Sequence, residues 1–286
     1  MASSLARRLF AEFIGTAILV FFGAGAIVAA LQINDGVLGY AGLGFVALSF
    51  ALAIAVAIYV FGTTSGAHIN PAVTIALAVT GRFGWAEAPA YILAQLAGGW
   101  GGAALIVGVV GDRATDLGGV GLTTLGPGVS DLQAVIAEGV GTFLLMIAIM
   151  ALAVDRRAPG GWAGLIIGLA VGCEIMVIGP FTNGSVNPAR TFGPYVMNDL
   201  FGGATPWNEY WIYIVGPVAG AALAALVYVM LVQPQPAAPP VPGPGEAAAV
   251  PGERAAGVPT ARAHQETDSS TAAPGSPPPP GPRRVP

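Results

Sequence analysis

Two tripeptides carry the chain's clearest chemistry, Asn70-Pro71-Ala72 and Asn187-Pro188-Ala189. Asparagine caps helix N-termini through its side-chain oxygen and proline is favoured at the first helical position, so each copy predicts a helix start. If both carboxamide oxygens accept from their own helices, both amino groups remain to donate into whatever lies before them, and one oxygen such as that of water can accept from both. Small-residue stretches precede each start, Ser65-Gly66-Ala67-His68-Ile69 and Thr182-Asn183-Gly184-Ser185-Val186. Irregular backbone there would offer the carbonyls of Gly66, Ala67, His68, Asn183 and Ser185 as a ladder of acceptors. Such groups guide a small polar molecule and break no bond in it. Arg190 stands in the first turn of the second helix, where a cation opposes the helix dipole, so something must justify its presence.

These groups must be held by elements suited to an apolar solvent. Of the 286 residues, 55% are hydrophobic and 9% charged, too few polar groups to cover a water-exposed globule. Apolar windows long enough to cross a bilayer recur at Leu9–Leu31, Tyr40–Gly62, Ala86–Gly111, Leu132–Val154, Trp162–Pro180 and Glu209–Val232. Between the second and third lies Asn70 to Thr80, which as a helix reaches roughly 16 Å, about half of a hydrocarbon core. The fold class predicted is therefore all-α, with six transmembrane helices and two re-entrant half-helices. Re-entrant backbone at membrane depth is tolerated only against protein or a water-filled cavity, so the loops must line something wet.

The two halves repeat each other. Ala11-Glu12-Phe13-Ile14-Gly15-Thr16 opens the first span and Ala137-Glu138-Gly139-Val140-Gly141-Thr142 the fourth, each followed by its own Asn-Pro-Ala. Three intervening spans give the repeats opposite topology, which places a functional site near the midplane. Ala94-Gln95-Leu96-Ala97-Gly98 and Gly216-Pro217-Val218-Ala219-Gly220 correspond more weakly, as small residues that admit close helix contact. The organisation expected is an N-terminal segment 1–8, a channel domain 9–233 built from repeats 9–111 and 131–233, and a Pro/Ala-rich tail 234–286 unable to bury a core. Arg7, Arg8, Arg82, Arg156 and Arg157 fall on one side, predicting both termini in the cytoplasm. No basic stripe suggests nucleic acid as a partner, and the single cysteine, Cys173, excludes an intrachain disulfide.

On these residues the chain resembles the aquaporins of the major intrinsic protein family over nearly all of 9–232. The matching blocks are Ser65-Gly66-Ala67-His68-Ile69-Asn70-Pro71-Ala72-Val73-Thr74 and Gly184-Ser185-Val186-Asn187-Pro188-Ala189-Arg190-Thr191-Phe192-Gly193-Pro194, with the second, continued to Tyr195, most similar to archaeal members. The resemblance implies a passive, single-file water channel of the plasma membrane that excludes protons and ions, works without cofactor or metal, and assembles as a homotetramer. It places Arg190 in an outer constriction with Phe50, Ile175 and Gly184. Water-selective relatives typically carry histidine where Ile175 stands, and glycerol facilitators combine tryptophan, glycine and phenylalanine with the arginine. Here the expectation is a wider, more apolar aperture, passing water and admitting other small neutral solutes. A glycerol, ammonia, hydrogen sulfide or metalloid-hydroxide facilitator is the alternative within that class, which Ile175 and Gly184 leave open; Phe50, Thr191 and Tyr195 argue against glycerol.

Several side chains admit two readings. Glu12 and Glu138 could relay protons or, as the resemblance implies, support the re-entrant loops by accepting backbone N–H bonds. Arg190 reads as a filter arginine with donors facing the pore, with a structural ion pair as the lesser alternative. His68 could shuttle protons or stabilise its loop; with His264 as the only other histidine, no metal site can be built from the pair. Glu174 reads as a buried hydrogen-bonded acid, a subunit contact or part of a gate, and Cys173 as a small core residue. Inverted repeats with intramembrane glutamates also suit a proton-coupled transporter, which would accumulate solute uphill, and the tail suits a scaffold, which truncation would abolish.

Overall fold

A computed structural model describes residues 3–232; the expected tail at 234–286 lies outside them. The described chain is helical throughout its regular structure. Six helices are long and apolar enough to cross a membrane: α1 (Leu5–Ile33), α2 (Tyr40–Ser65), α4 (Ala88–Val110), α6 (Asp131–Ile149, continued as a π-helical turn to Val154), α7 (Ala163–Thr182) and α9 (Ile212–Val227, continued by a π-helical turn to Val232). Two shorter helices follow the Asn-Pro-Ala starts, α3 (Pro71–Val79) and α8 (Pro188–Leu200), and α5 (Arg113–Asp116) is a single turn in a connection.

Local chemistry sets the ends. Ser4 accepts the Arg7 amide ahead of α1, and Ser130 with Gln133 forms a reciprocal capping box ahead of α6. Asn70 and Asn187 cap α3 and α8, each with proline in the first turn. At the other end, α2 stops at Gly66 and α7 at Asn183, both left-handed, which turns the chain into each re-entrant loop.

The side-chain distribution is the reverse of a soluble bundle. Large apolar residues such as Phe22, Leu52, Val56, Leu105 and Leu223 face outward, as suits an apolar surrounding. The interior of the helix contacts is built from alanine, glycine and threonine, which let backbones approach closely. A Cβ on Gly99 of α4 would strike the Ala189 carbonyl of α8, and one on Gly193 of α8 would strike the Gly99 carbonyl. In the same way α9 lies against α6, where a Cβ on Gly220 would strike Gly139.

The repeats interlock. Within the first, α1 packs on α2 and α4; within the second, α6 packs on α7 and α9, and α2 meets α7 between them. Each half-helix packs across the divide, α3 on α9 and α8 on α4. At one end of the bundle Tyr228 donates to Asp155, Arg157 pairs with Asp155, and Arg157 Nη2 donates to the Val232 carbonyl, clipping the ends of α6 and α9 together. The Arg157 hydrogen bond holds the Asp155 carboxyl well below the usual carboxylate range.

Candidate functional site

The site is built around two buried carboxylates. Glu12 Oε1 accepts the Ser65 hydroxyl at 2.6 Å and the His68 amide at 3.0 Å; its Oε2 accepts the Ile69 amide at 2.7 Å and Gln95 Nε2 at 2.8 Å. Glu138 repeats the pattern in the other half. Its Oε1 accepts the Thr182 hydroxyl at 2.7 Å and the Ser185 amide at 3.0 Å, and its Oε2 the Val186 amide at 2.7 Å. A carboxylate offers only acceptors, which suits four loop amides that the helices leave unpaired. Each glutamate thus fastens a loop to a spanning helix.

Around them the repeat extends to further partners, of which Tyr91 and Tyr213 were not singled out in the sequence. Tyr91 and Tyr213 donate to the Ser65 and Thr182 carbonyls at 3.0 and 3.2 Å, closing the start of each loop. Thr16 and Thr142 donate back to the carbonyls of Glu12 and Glu138, orienting those turns. His68 Nδ1 lies 3.2 Å from the Thr74 hydroxyl, as Ser185 lies 2.6 Å from that of Thr191, and the His68 ring packs against Phe83 and Tyr91. His68 therefore secures its loop. The signal for the two tyrosines was their recurrence at matched places in the third and sixth spans.

At the meeting point of α3 and α8 each asparagine does two things. Asn70 Oδ1 accepts the Ala72 amide at 2.9 Å, and Asn187 Oδ1 accepts those of Ala189 and Arg190 at 3.0 and 3.3 Å. The amino groups are only half free, contrary to expectation. Asn70 Nδ2 donates to the Val186 carbonyl at 2.8 Å and Asn187 Nδ2 to the Ile69 carbonyl at 2.9 Å, so each loop holds the other's cap. One N–H per asparagine is left for the lumen.

Both asparagines line a cavity of about 350 Å³ that extends from Phe50 and Gly184 to Arg82 and Val154. Gly66, Ala67, His68 and Ser185 also line it. Asn183 does not. It borders two outer depressions instead, and its Oδ1 accepts the Thr124 amide, so it departs from the predicted ladder.

Of the four predicted filter residues, Phe50 and Gly184 line the cavity while Ile175 and Arg190 are buried behind it, Arg190 against Phe50 and Ile175 against Gly184. The Arg190 guanidinium lies 5.2 Å from the Phe50 ring centre, a cation–π distance, and Nη1 donates to the Gly121 carbonyl at 2.9 Å. Its Nε and Nη2 have no protein partner although the residue is fully buried, and no carboxylate among the described residues pairs with it. The ion-pair reading is thereby set aside. Ile175 flanks Gly184, but a Cβ on Gly184 would approach Glu174 and Ile175 of α7. The missing side chain thus opens space toward α7, and the expected simple widening by glycine does not follow. Cys173, read as a core residue, is exposed on the outside of α7.

A profile of the Major intrinsic protein family matches residues 1–228. Aquaporin AqpM of Methanothermobacter marburgensis is 49% identical over 238 residues, spanning 79% of this chain and 97% of that one. The probable aquaporin AqpM of Archaeoglobus fulgidus is 48% identical over 241 residues, covering 80% and 98%. Aquaporin TIP4-4 of Zea mays is 40% identical over 240 residues, covering 82% and 90%. Among solved structures, the aquaglyceroporin from Plasmodium falciparum superposes with a TM-score of 0.70 at 28% identity, covering 80% of this chain and 97% of that one.

Proposed function

The chain belongs to the major intrinsic protein family, and from that premise we propose that it is a passive channel for water that excludes ions and protons and does no covalent chemistry. The observation that supports this most directly is the crossed pair Asn70 and Asn187, each locked by its own helix and by the opposite loop, facing one cavity. Water enters single file along the carbonyls of Gly66, Ala67 and His68, and leaves past Ser185 and Gly184. At the midpoint its oxygen accepts the remaining N–H of both asparagines, so both its hydrogens point outward and no donor chain runs through. The N-termini of α3 and α8 converge there, each with roughly half a positive charge, and repel cations.

Phe50, Ile175, Gly184 and Arg190 form the outer constriction. Arg190 lies behind Phe50, which lines the cavity, and its positive charge adds to cation rejection. Stopped-flow light scattering on proteoliposomes tests the assignment: shrinkage under a non-permeant osmolyte should be fast, and re-swelling with glycerol slow. Shrinkage no faster than in empty liposomes would sink it.

Passage of other small neutral solutes is the second reading, favoured by isoleucine at position 175 in place of histidine and by the likeness to an aquaglyceroporin. Rapid glycerol re-swelling would select it. Positive-inside bias supports a plasma-membrane orientation with both termini in the cytoplasm. The family resemblance supports a homotetramer with one pore in each subunit, which chemical cross-linking in membranes would test.

A further inference from the structure

The conduction path makes no use of Glu174, which is 3% exposed on α7 with both carboxyl oxygens lacking a hydrogen-bond partner. The other buried acids, Glu12 and Glu138, have both oxygens occupied. Burying a polar group unpaired is costly, so the side chain must be there for what it fills. What it fills is narrow. A Cβ on Gly184 would come 3.1 Å from Glu174 Oε2, and a Cβ on Gly141 of α6 would come 3.2 Å from the same atom. The carboxyl therefore lies between two glycines, one in α6 and one in the re-entrant loop at the wall of the cavity.

We propose that Glu174 is a positioning residue for selectivity: its carboxyl wedges the Gly184 backbone toward the lumen and sets the aperture that separates water from larger neutral solutes such as glycerol. This rests on the reading of Gly184 as part of the outer constriction. Gly184 is suited to being wedged, since its φ of +55° keeps it without a side chain and nothing of its own stands between the backbone and the carboxyl. Glutamine has the same volume and serves as well. Alanine leaves a gap into which the loop retreats, and aspartate, one methylene shorter, leaves a smaller one.

The test is the glycerol-to-water permeability ratio in proteoliposomes, which a mere loss of folded channels does not change. Glu174→Ala should raise the ratio severalfold, and Glu174→Gln should keep the wild-type value. Should Glu174→Ala fail to reconstitute, Glu174→Asp decides, with a raised ratio expected. An unchanged ratio in the shortened variants, or an equal rise in Glu174→Gln, overturns the wedge. Arg190→Ala separates the two levels: if it raises the ratio while shortened Glu174 variants do not, the wedge alone fails. If Arg190→Ala is also flat, the constriction itself has been misplaced.

Discussion

Ile69 and Val186 adopt φ of +43° and +46°, a region that β-branched residues avoid at a cost of order 1–3 kcal/mol each. What holds them is a pair of bonds on either side: the amides reach Glu12 and Glu138, and the carbonyls receive Asn187 and Asn70. Glu12→Gln or Glu138→Gln replaces an acceptor oxygen by an amino group facing a backbone N–H. Each should cost about 3 kcal/mol, read as a lower melting temperature in detergent, and water flux per folded channel should fall as the loop carbonyls lose their aim. A Glu138→Gln channel with unaltered melting and flux would mean that the loop holds itself. The caps at Asn70 and Asn187 were legible because capping is local chemistry. Their second bonds were not, because each depends on a loop from the other repeat, far away in sequence.

Among elements, what counts is how closely backbones meet. Gly99 and Gly193 bring α4 and α8 into contact, with no room for a side chain on either. Gly193→Ala should displace α8, and with it Arg190, costing about 1–3 kcal/mol or more because backbone cannot step aside. Gly108→Ala on the same α4 meets nothing within 4 Å and should be silent or slightly stabilising, so comparing melting and water flux of the two variants checks the claim within one helix. The spans were readable from hydropathy, yet the Gly121 carbonyl that receives Arg190 was not: it sits in the 118–121 glycine-rich turn, where Val120 also has positive φ and no periodicity marks a role. A second element-level device is the clip between the ends of α6 and α9. Bonding to Arg157 depresses the Asp155 carboxyl below its unfolded value near 3.9. Its contribution is therefore complete above that pH and is lost as pH falls through the folded value. The melting difference between wild type and Asp155→Asn should be constant from pH 7 to about 5 and shrink on further acidification; a difference that grows with acid would reverse the assignment.

At the scale of the whole molecule, opposed repeats turn two weak dipoles into a barrier. Inversion brings the N-termini of α3 and α8 to one point, and at roughly half a charge each they sum to about one positive charge beside the lumen. The sequence disclosed this through two identical motifs in halves of opposite topology, but the crosswise seating of α3 on α9 and α8 on α4, which keeps the two ends in register, came only with the fold. The magnitude makes a sharp prediction. Asn70→Asp keeps a competent cap, since aspartate serves that position as well as asparagine, while adding one negative charge that cancels the pair of dipoles. It also removes the donor to the Val186 carbonyl, so the variant should melt lower and water flux should drop. Proton or alkali-cation leak per unit of water flux should nevertheless rise, followed by the decay of a pH gradient across dye-loaded proteoliposomes clamped with valinomycin and potassium. If the normalised leak stays at the wild-type value, the barrier does not reside at the asparagines, and Arg190 must carry cation rejection alone; Arg190→Ala in the same assay would then be the variant that leaks.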